Sequence, residues 1–230
     1  MPLQRTDVVD AAMRLLDDTG LDALSTRRLA TELGVRPGAL YWHVASKQDL
    51  LDALAERILG EVPEQVGPAD AHWTERTAAL ARSMREAMLA HRDGARLLAG
   101  AAALGPNRLG FAERLMGVLG QSGAPLAATA AAGDAVMSYV TGFVLQEQSS
   151  PRSGPDGAER PEGLEGAKGS EGAEGAEGPA AAPFDAGQFP LLAAWLSQWS
   201  SDTPQQTFAA GLEILVEGLT VYLRKAAATA

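Results

Sequence analysis

The sequence predicts an all-α protein: a small N-terminal three-helix bundle containing a helix-turn-helix, followed by a larger helical domain. Three observations predict it. Apolar residues recur at three- and four-residue spacing through most of the chain, which is the period of an amphipathic helix. Gly and Pro fall between these periodic stretches, where helices stop and start. No stretch alternates apolar and polar residues as a half-buried strand would.

The first helix is expected over about 7–18, with Val8, Val9, Ala12, Leu15 and Leu16 on one face and Gly20 beyond its end. Ser25 is placed to cap a second helix that runs to Leu33 and buries Leu29, Ala30 and Leu33; Gly34 closes it. Pro37 stands at the first position of a third helix, where proline is best tolerated, and that helix is expected to reach about Val44. Ser46 opens "SKQD", close to a capping box, at the head of a fourth helix ending near Val62 with Leu50, Leu51, Leu54 and Ile58 as its stripe. Beyond Pro68 come Ala- and Leu-rich helices at about 71–90, 92–101, 108–122 and 125–148, then 187–200 and 204–226. Between them, 151–183 nearly repeats Gly-Ala-Glu; it has too little apolar surface to offset its ordering entropy, and is expected to be a disordered acidic insertion. The implied domains are 1–46, a connecting helix at 47–62, and 63–230.

Composition excludes several functions. There is no cysteine, hence no disulfide, zinc-thiolate site or thiol nucleophile. The N-terminus lacks the apolar run of a signal peptide, and no unbroken run of about 18 apolar residues suggests a membrane span, so a cytoplasmic protein is expected. The net charge of −10 disfavours nucleic acid at first sight. However, 151–183 carries seven acidic and three basic residues, whereas 1–47 carries six of each and is neutral. Phosphate binding depends on where cations sit, so a local basic face remains open to the N-terminal domain.

In "RPGALYWHVASK" three polar-tipped rings stand side by side. Leu40 and Val44, four apart, must face the bundle; Trp42 then lies opposite them, with Tyr41 and His43 on the flanks. A short helix of outward rings, preceded by a helix and a glycine turn, has the layout of a helix-turn-helix whose second helix enters a major groove. Arg27 and Arg28 open the preceding helix and Lys47 the following one, positions suited to phosphate contact.

The stretch "ALSTRRLATELGVRPGALYWHVASKQDLLDAL" resembles the DNA-binding domain of the TetR family of bacterial regulators. The resemblance implies a homodimeric repressor on a palindromic double-stranded operator, with Thr26, Arg27, Pro37, Gly38, Ala39, Tyr41, Trp42, His43 and Lys47 lining the DNA. Arg27 is the base-reading candidate, because a guanidinium bonds two guanine acceptors at once. Tyr41, His43 and Lys47 are assigned to phosphates.

Farther on, "HRDGARLLAG" and "GFVLQEQ" look like segments of a tetracycline-repressor type of C-terminal domain. At the positions aligned with that family's drug–Mg²⁺ ligands stand Pro63, Leu80, Leu98 and Gln146, which lack the hard oxygen and imidazole donors the ion needs; no metal or cofactor is expected. The expected effector is instead a hydrophobic or aromatic small molecule, with Leu80, Met84, Leu98, Phe111, Met137 and Gln146 as pocket walls and Arg114 as a polar anchor. By analogy, helices 125–148, with "ATAAAG", and 204–226, with Phe208, Leu212, Leu215, Leu219 and Tyr222, would form the dimer bundle. An enzyme is not expected: His43, His72 and His91 have no metal-binding spacing, and "HRDG" reads as a helix break with His91 at one end and Asp93 capping the next helix.

Overall fold

The computed structural model describes residues 3–149, 187–197 and 203–229, and every regular element among them is a helix. The insertion expected at 151–183 lies outside the described residues. The chain divides into two compact units, Met1–Ser150 with Ala210–Ala230, and Pro151–Ala209.

Helix α1 (Arg5–Thr19) starts two residues earlier than expected, because Gln4 and Asp7 form a capping box; the Gln4 amide donates to Asp7 Oδ2 at 2.8 Å. It ends at Gly20, whose φ of 80° favours glycine and whose N–H closes on Leu16 O at 2.7 Å. Helix α2 (Thr26–Glu32) is capped by Ser25, whose hydroxyl accepts from the Arg28 amide.

The third element is shorter than its pattern suggested. Helix α3 covers Pro37–Leu40 alone, and hydrogen-bonded turns carry the chain on, with the His43 and Val44 amides both donating to Leu40 O. Extended backbone at both ends explains this. Arg36 precedes a proline and is extended, and Ser46 must be extended to cap α4 (Lys47–Gly60) by accepting from the Asp49 amide at 3.0 Å. Asp49 does not complete the box on Ser46; its carboxylate takes the Ala45 amide at 2.8 Å. Val8, Ala12, Leu16, Leu24, Leu29, Leu40, Val44, Leu50 and Leu54 are all buried and form the core of this N-terminal bundle. Each such leucine contributes about 1.5–3 kcal/mol of burial.

Helix α5 (Trp73–Leu89) is capped by the His72 ring, α6 spans Gly94–Gly100, and α7 (Pro106–Gly120) begins at a proline. Helix α8 (Leu126–Ser149) meets α5, α6 and α7, burying Val136, Val140 and Val144. Sequence inspection found no span candidate, yet α8 is long and apolar enough to cross a membrane by length and composition. Its valine seam is covered by three neighbouring helices, the disposition of a helix in the middle of a bundle. Asp93 does precede α6, in a left-handed conformation, but its side chain caps nothing there; it accepts the Leu21 amide at 2.8 Å instead.

Helix α9 spans Pro190–Ser197, and α10 spans Pro204–Thr229. Of the stripe assigned to a partner, Phe208, Leu212 and Leu219 are buried within the chain, as is Leu223, whereas Leu215 is half-buried and Tyr222 exposed. Side-chain spacing cannot tell a partner from the protein's own core. Where α10 crosses α8, a side chain at Gly211 would collide with the Tyr139 hydroxyl. The exposed side of α10 carries Ile214 (71% exposed), Val221 and Tyr222. In "ATAAAG" Ala128, Ala132 and Gly133 are buried, Gly133 against Leu115 and Leu119 of α7, while Ala131, and Ala127 just before the run, are exposed.

Candidate nucleic-acid interface and small-molecule cleft

Leu40 and Val44 hold the α3 segment from behind, and the rings follow from that. Trp42 is 89% exposed, Tyr41 is 56% exposed, and His43 is half-buried. The back of the segment is pinned by Arg5. Its guanidinium donates to the His43 carbonyl and to both Asp49 oxygens, at 2.8 and 3.2 Å. That hydrogen bond holds the Asp49 carboxyl below the usual carboxylate range, against the opposing effect of partial burial. α1, the ring-bearing turn and the start of α4 are thereby one rigid piece.

Around the rings stand Thr26 at the first position of α2, half-buried, and exposed Arg27, Pro37, Gly38 and Lys47, with Ala39 half-buried. Arg27, Arg28 and Lys47 form no ion pair with a carboxylate among the described residues. Three cations without a direct ion pair among the described residues thus stand beside the exposed rings, and the Lys47 charge also helps to lower the pKa of Asp22. Exposed Arg36, just before α3, adds a fourth cation that sequence reasoning passed over.

The second candidate site is divided. A cleft of about 260 Å³ is lined by the loop from Glu64 to Ala69 together with Arg76, Leu80, Arg114, Gly117 and Val118. A neighbouring open trough of about 440 Å³ lies between the end of α4 and the start of α7, and shares Glu64 and Arg114 with the first. Of the residues named from sequence, Leu80 and Arg114 meet at the first cleft. Met84 and Phe111 are fully buried and Leu98 nearly so, all away from both clefts. Met137 is half-buried on α8, and Gln146 is exposed; it follows Val144 by two residues, which turns it some 200° from the buried seam. Pro63 lies on the trough. Among the described residues no cluster of three His, Asp or Glu side chains is arranged to hold a metal.

Several functional contacts escaped the sequence. Glu147 is engaged by Arg85 through two hydrogen bonds, at 2.7 and 3.0 Å, and the Arg85 side chain is only 8% exposed. The signal was present: Arg85 lies on the stripe of Ala81 and Met88, where a charge demands a partner. Gln148 next to it ties α8 to the α5–α6 corner, accepting the Ala95 amide and donating to the carbonyls of Met88 and His91. The Thr77 hydroxyl is buried without a hydrogen-bond partner among the described residues.

The two candidate sites are joined through α4 and the "HRDG" corner. His91 sits between two carboxylates, Nδ1 facing Asp17 of α1 at 3.1 Å and Nε2 facing Glu61, just past α4, at 3.0 Å. Burial pulls its pKa down, but hydrogen bonds and charge from Glu61 and Asp17 outweigh that and raise it above the ordinary histidine value. The Arg92 amide also donates to Asp17, Arg96 pairs with Asp22 at 2.8 Å, and a side chain at Gly20 would crowd Arg92 and Asp93. Along α4, Gln48 reaches Gly100 O, Asp52 accepts the Ala102 amide, and Glu56 accepts the Asn107 and Arg108 amides, capping α7 from another helix.

Comparison with known proteins agrees with this two-part construction. Residues 8–54 match the family of bacterial regulatory proteins called tetR, and residues 67–223 match the tetracyclin repressor-like C-terminal domain. The chain is similar to the class A tetracycline repressor protein from transposon 1721 of Escherichia coli, at 37% identity over 94% of this chain and 90% of that one. Among solved structures it resembles the Streptomyces coelicolor TetR family protein ActR in complex with (S)-DNPA, with a TM-score of 0.75 and 30% identity over 97% of this chain and 100% of that one. It also resembles BioQ with its double-stranded DNA operator, with a TM-score of 0.65 and 31% identity over 96% of this chain and 99% of that one. The chain belongs to the TetR family of bacterial regulators, with a tetracycline-repressor-like C-terminal domain.

Proposed function

We propose that this protein is a homodimeric, ligand-responsive transcriptional repressor that binds a palindromic DNA operator and is released by a hydrophobic or aromatic small molecule. The single observation that carries the DNA half is the outward pair Tyr41 and Trp42, held by buried Leu40 and Val44 and flanked by Arg27, Arg28 and Lys47. In this reading residues 1–46 bind DNA, 47–62 connect, and 63–230 bind the effector and dimerise. Arg27 reads a base edge; Thr26, Pro37, Gly38, Ala39 and Trp42 complete the contact with the groove; Tyr41, His43 and Lys47 hold phosphates. Two copies of the ring-bearing turn, about 34–36 Å apart, meet successive major grooves.

The effector binds near Leu80 and Arg114, in the cleft beneath the loop from Glu64 to Ala69, whose Arg114 also lines the trough that borders the end of α4. Met84, Leu98, Phe111, Met137 and Gln146 line neither cleft and are left out of this reading of the wall. Effector and operator each favour a different position of α4, and so oppose one another through it. Support comes from the relatives: ActR has been crystallised with a small molecule and BioQ with operator DNA.

The test is a duplex selected by the full-length protein from a random-sequence pool, labelled and titrated in rising salt. Specific binding that falls steeply with salt supports the reading. Selection that yields no consensus, or affinity indifferent to salt, removes it and favours a helical interaction protein with no operator.

A further inference from the structure

Arg114 occupies an unusual place: it lines both clefts and stands between them. Its guanidinium donates to the Pro63 carbonyl at 2.6 Å, more weakly to Gly110 O, and lies 5.7 Å from the centre of the Phe111 ring. None of these partners is a carboxylate. Arg76 lines the smaller cleft from α5 and likewise has no ion pair among the described residues. The only acidic side chain on either cleft is Glu64, exposed on the loop, so the lining of the smaller cleft carries a net positive charge. A guanidinium turned to a backbone carbonyl keeps unused donors, and a charged acceptor binds it more strongly than a neutral one.

The geometry points to an effector that bears an acidic group, a carboxylate or ionised phenol on an apolar ring system, and that Arg114 and Arg76 recognise. This rests on the reading of the cleft as the effector site. When the anion captures Arg114, the guanidinium leaves the Pro63 carbonyl, and the segment that follows α4 loses its tie to α7. The same movement removes the partition between the two clefts. Clefts of about 260 and 440 Å³, separately small or shallow, then form one space of the size that drug-like molecules occupy. Glu64 lies at the shared border, and repulsion from the anion displaces this exposed loop further outward.

The experiment uses two fluorescent probes with the same ring system on the full-length protein: 8-anilinonaphthalene-1-sulfonate, which is anionic, and N-phenyl-1-naphthylamine, which is neutral. The sulfonate is expected to bind about tenfold or more tightly than the amine. Arg114→Gln and Arg76→Gln reduce the ratio of sulfonate to amine affinity to about one, whatever the affinity for the amine becomes, while Arg114→Lys restores part of the preference. Amide exchange at residues 64–67 rises with the sulfonate and not with the amine. Equal affinity for the two probes, or a preference that survives Arg114→Gln, overturns the proposal while leaving the cleft as an effector site. The site itself is tested by Gly117→Leu, since a side chain there meets open space in the cleft and places no strain on α7. If both probes bind that variant as they bind the parent, the cleft is not the binding site, and the reading of the effector site falls together with the proposal.

Discussion

Arg27 and Trp42 are exposed, and neither contributes to the core, so both can be removed without damage to the fold. Arg27→Ala is expected to weaken operator binding by about 1–3 kcal/mol and to relax specificity at one base position, leaving the melting temperature unchanged. Fluorescence anisotropy on matched and single-mismatch duplexes measures both effects. His91 has the opposite character, since its partners lie on α1 and at the end of α4. Its folded pKa is raised, so the stability it adds is fully present below the unfolded value of about 6.5 and is lost as pH rises through the folded one. Asp17 and Glu61 face the ring directly, Arg57 lies 3.7 Å from Glu61, and Arg92 reaches Asp17 through its amide. Urea unfolding from pH 5.5 to 8.5 is expected to show stability declining across that window in the parent, and a flatter profile in His91→Gln. Equal slopes in the two would show that the imidazole is not the titrating group. At Thr77 a buried hydroxyl has no partner among the described residues, so Thr77→Val is expected to raise stability by about 1 kcal/mol in thermal melts.

At the scale of elements, the α3 segment separates fold from contact most cleanly. Leu40→Ala removes a fully buried side chain and is expected to cost about 2–5 kcal/mol, seen in chemical denaturation, with operator affinity lost alongside. Trp42→Ala loses affinity alone. This contrast was legible from the sequence, because the spacing of Leu40 and Val44 dictates which way the intervening rings point. The caps at Ser25 and Ser46 and the proline start of α3 were legible for the same reason: each is a local rule about backbone donors. Contacts that join distant positions were not. His91 meets residues 74 and 30 positions away, and Arg85 meets Glu147 across 62. The cleft depends on how the loop from Glu64 to Ala69 drapes over α5 and α7, which no periodicity encodes. The α10 stripe was read correctly as apolar, but its own chain covers Phe208, Leu212 and Leu219 and leaves Tyr222 exposed, since a helix with two apolar faces gives no hint of which one its own chain covers.

For the whole molecule, the exposed side of α10 matters most. Ile214, Val221 and Tyr222 lie on it, with exposed Gly218 between them, and the small exposed residues Ala127 and Ala131 stand on α8. A symmetric partner would cover apolar area there, and the glycine allows close helix approach. Val221→Asp is therefore expected to shift the protein from dimer to monomer in sedimentation velocity, and to abolish cooperative occupation of a two-half-site duplex while leaving the helix content intact. A variant that stays dimeric would place the interface elsewhere.

The cap that Glu56 provides has a mechanical corollary. A carboxylate on one rod closes the end of another, so Glu56 acts as a fulcrum, and the rod bearing it can tilt but cannot slide without leaving two amides bare. Lys47 lies nine residues to one side and Gly60, the last residue of the rod, four to the other, roughly 14 and 6 Å along the axis at 1.5 Å per residue. A seesaw of those arms reverses direction and magnifies about twofold. An outward push of one ångström at Gly60 reappears as an inward swing of about two at Lys47, beside the proposed DNA face.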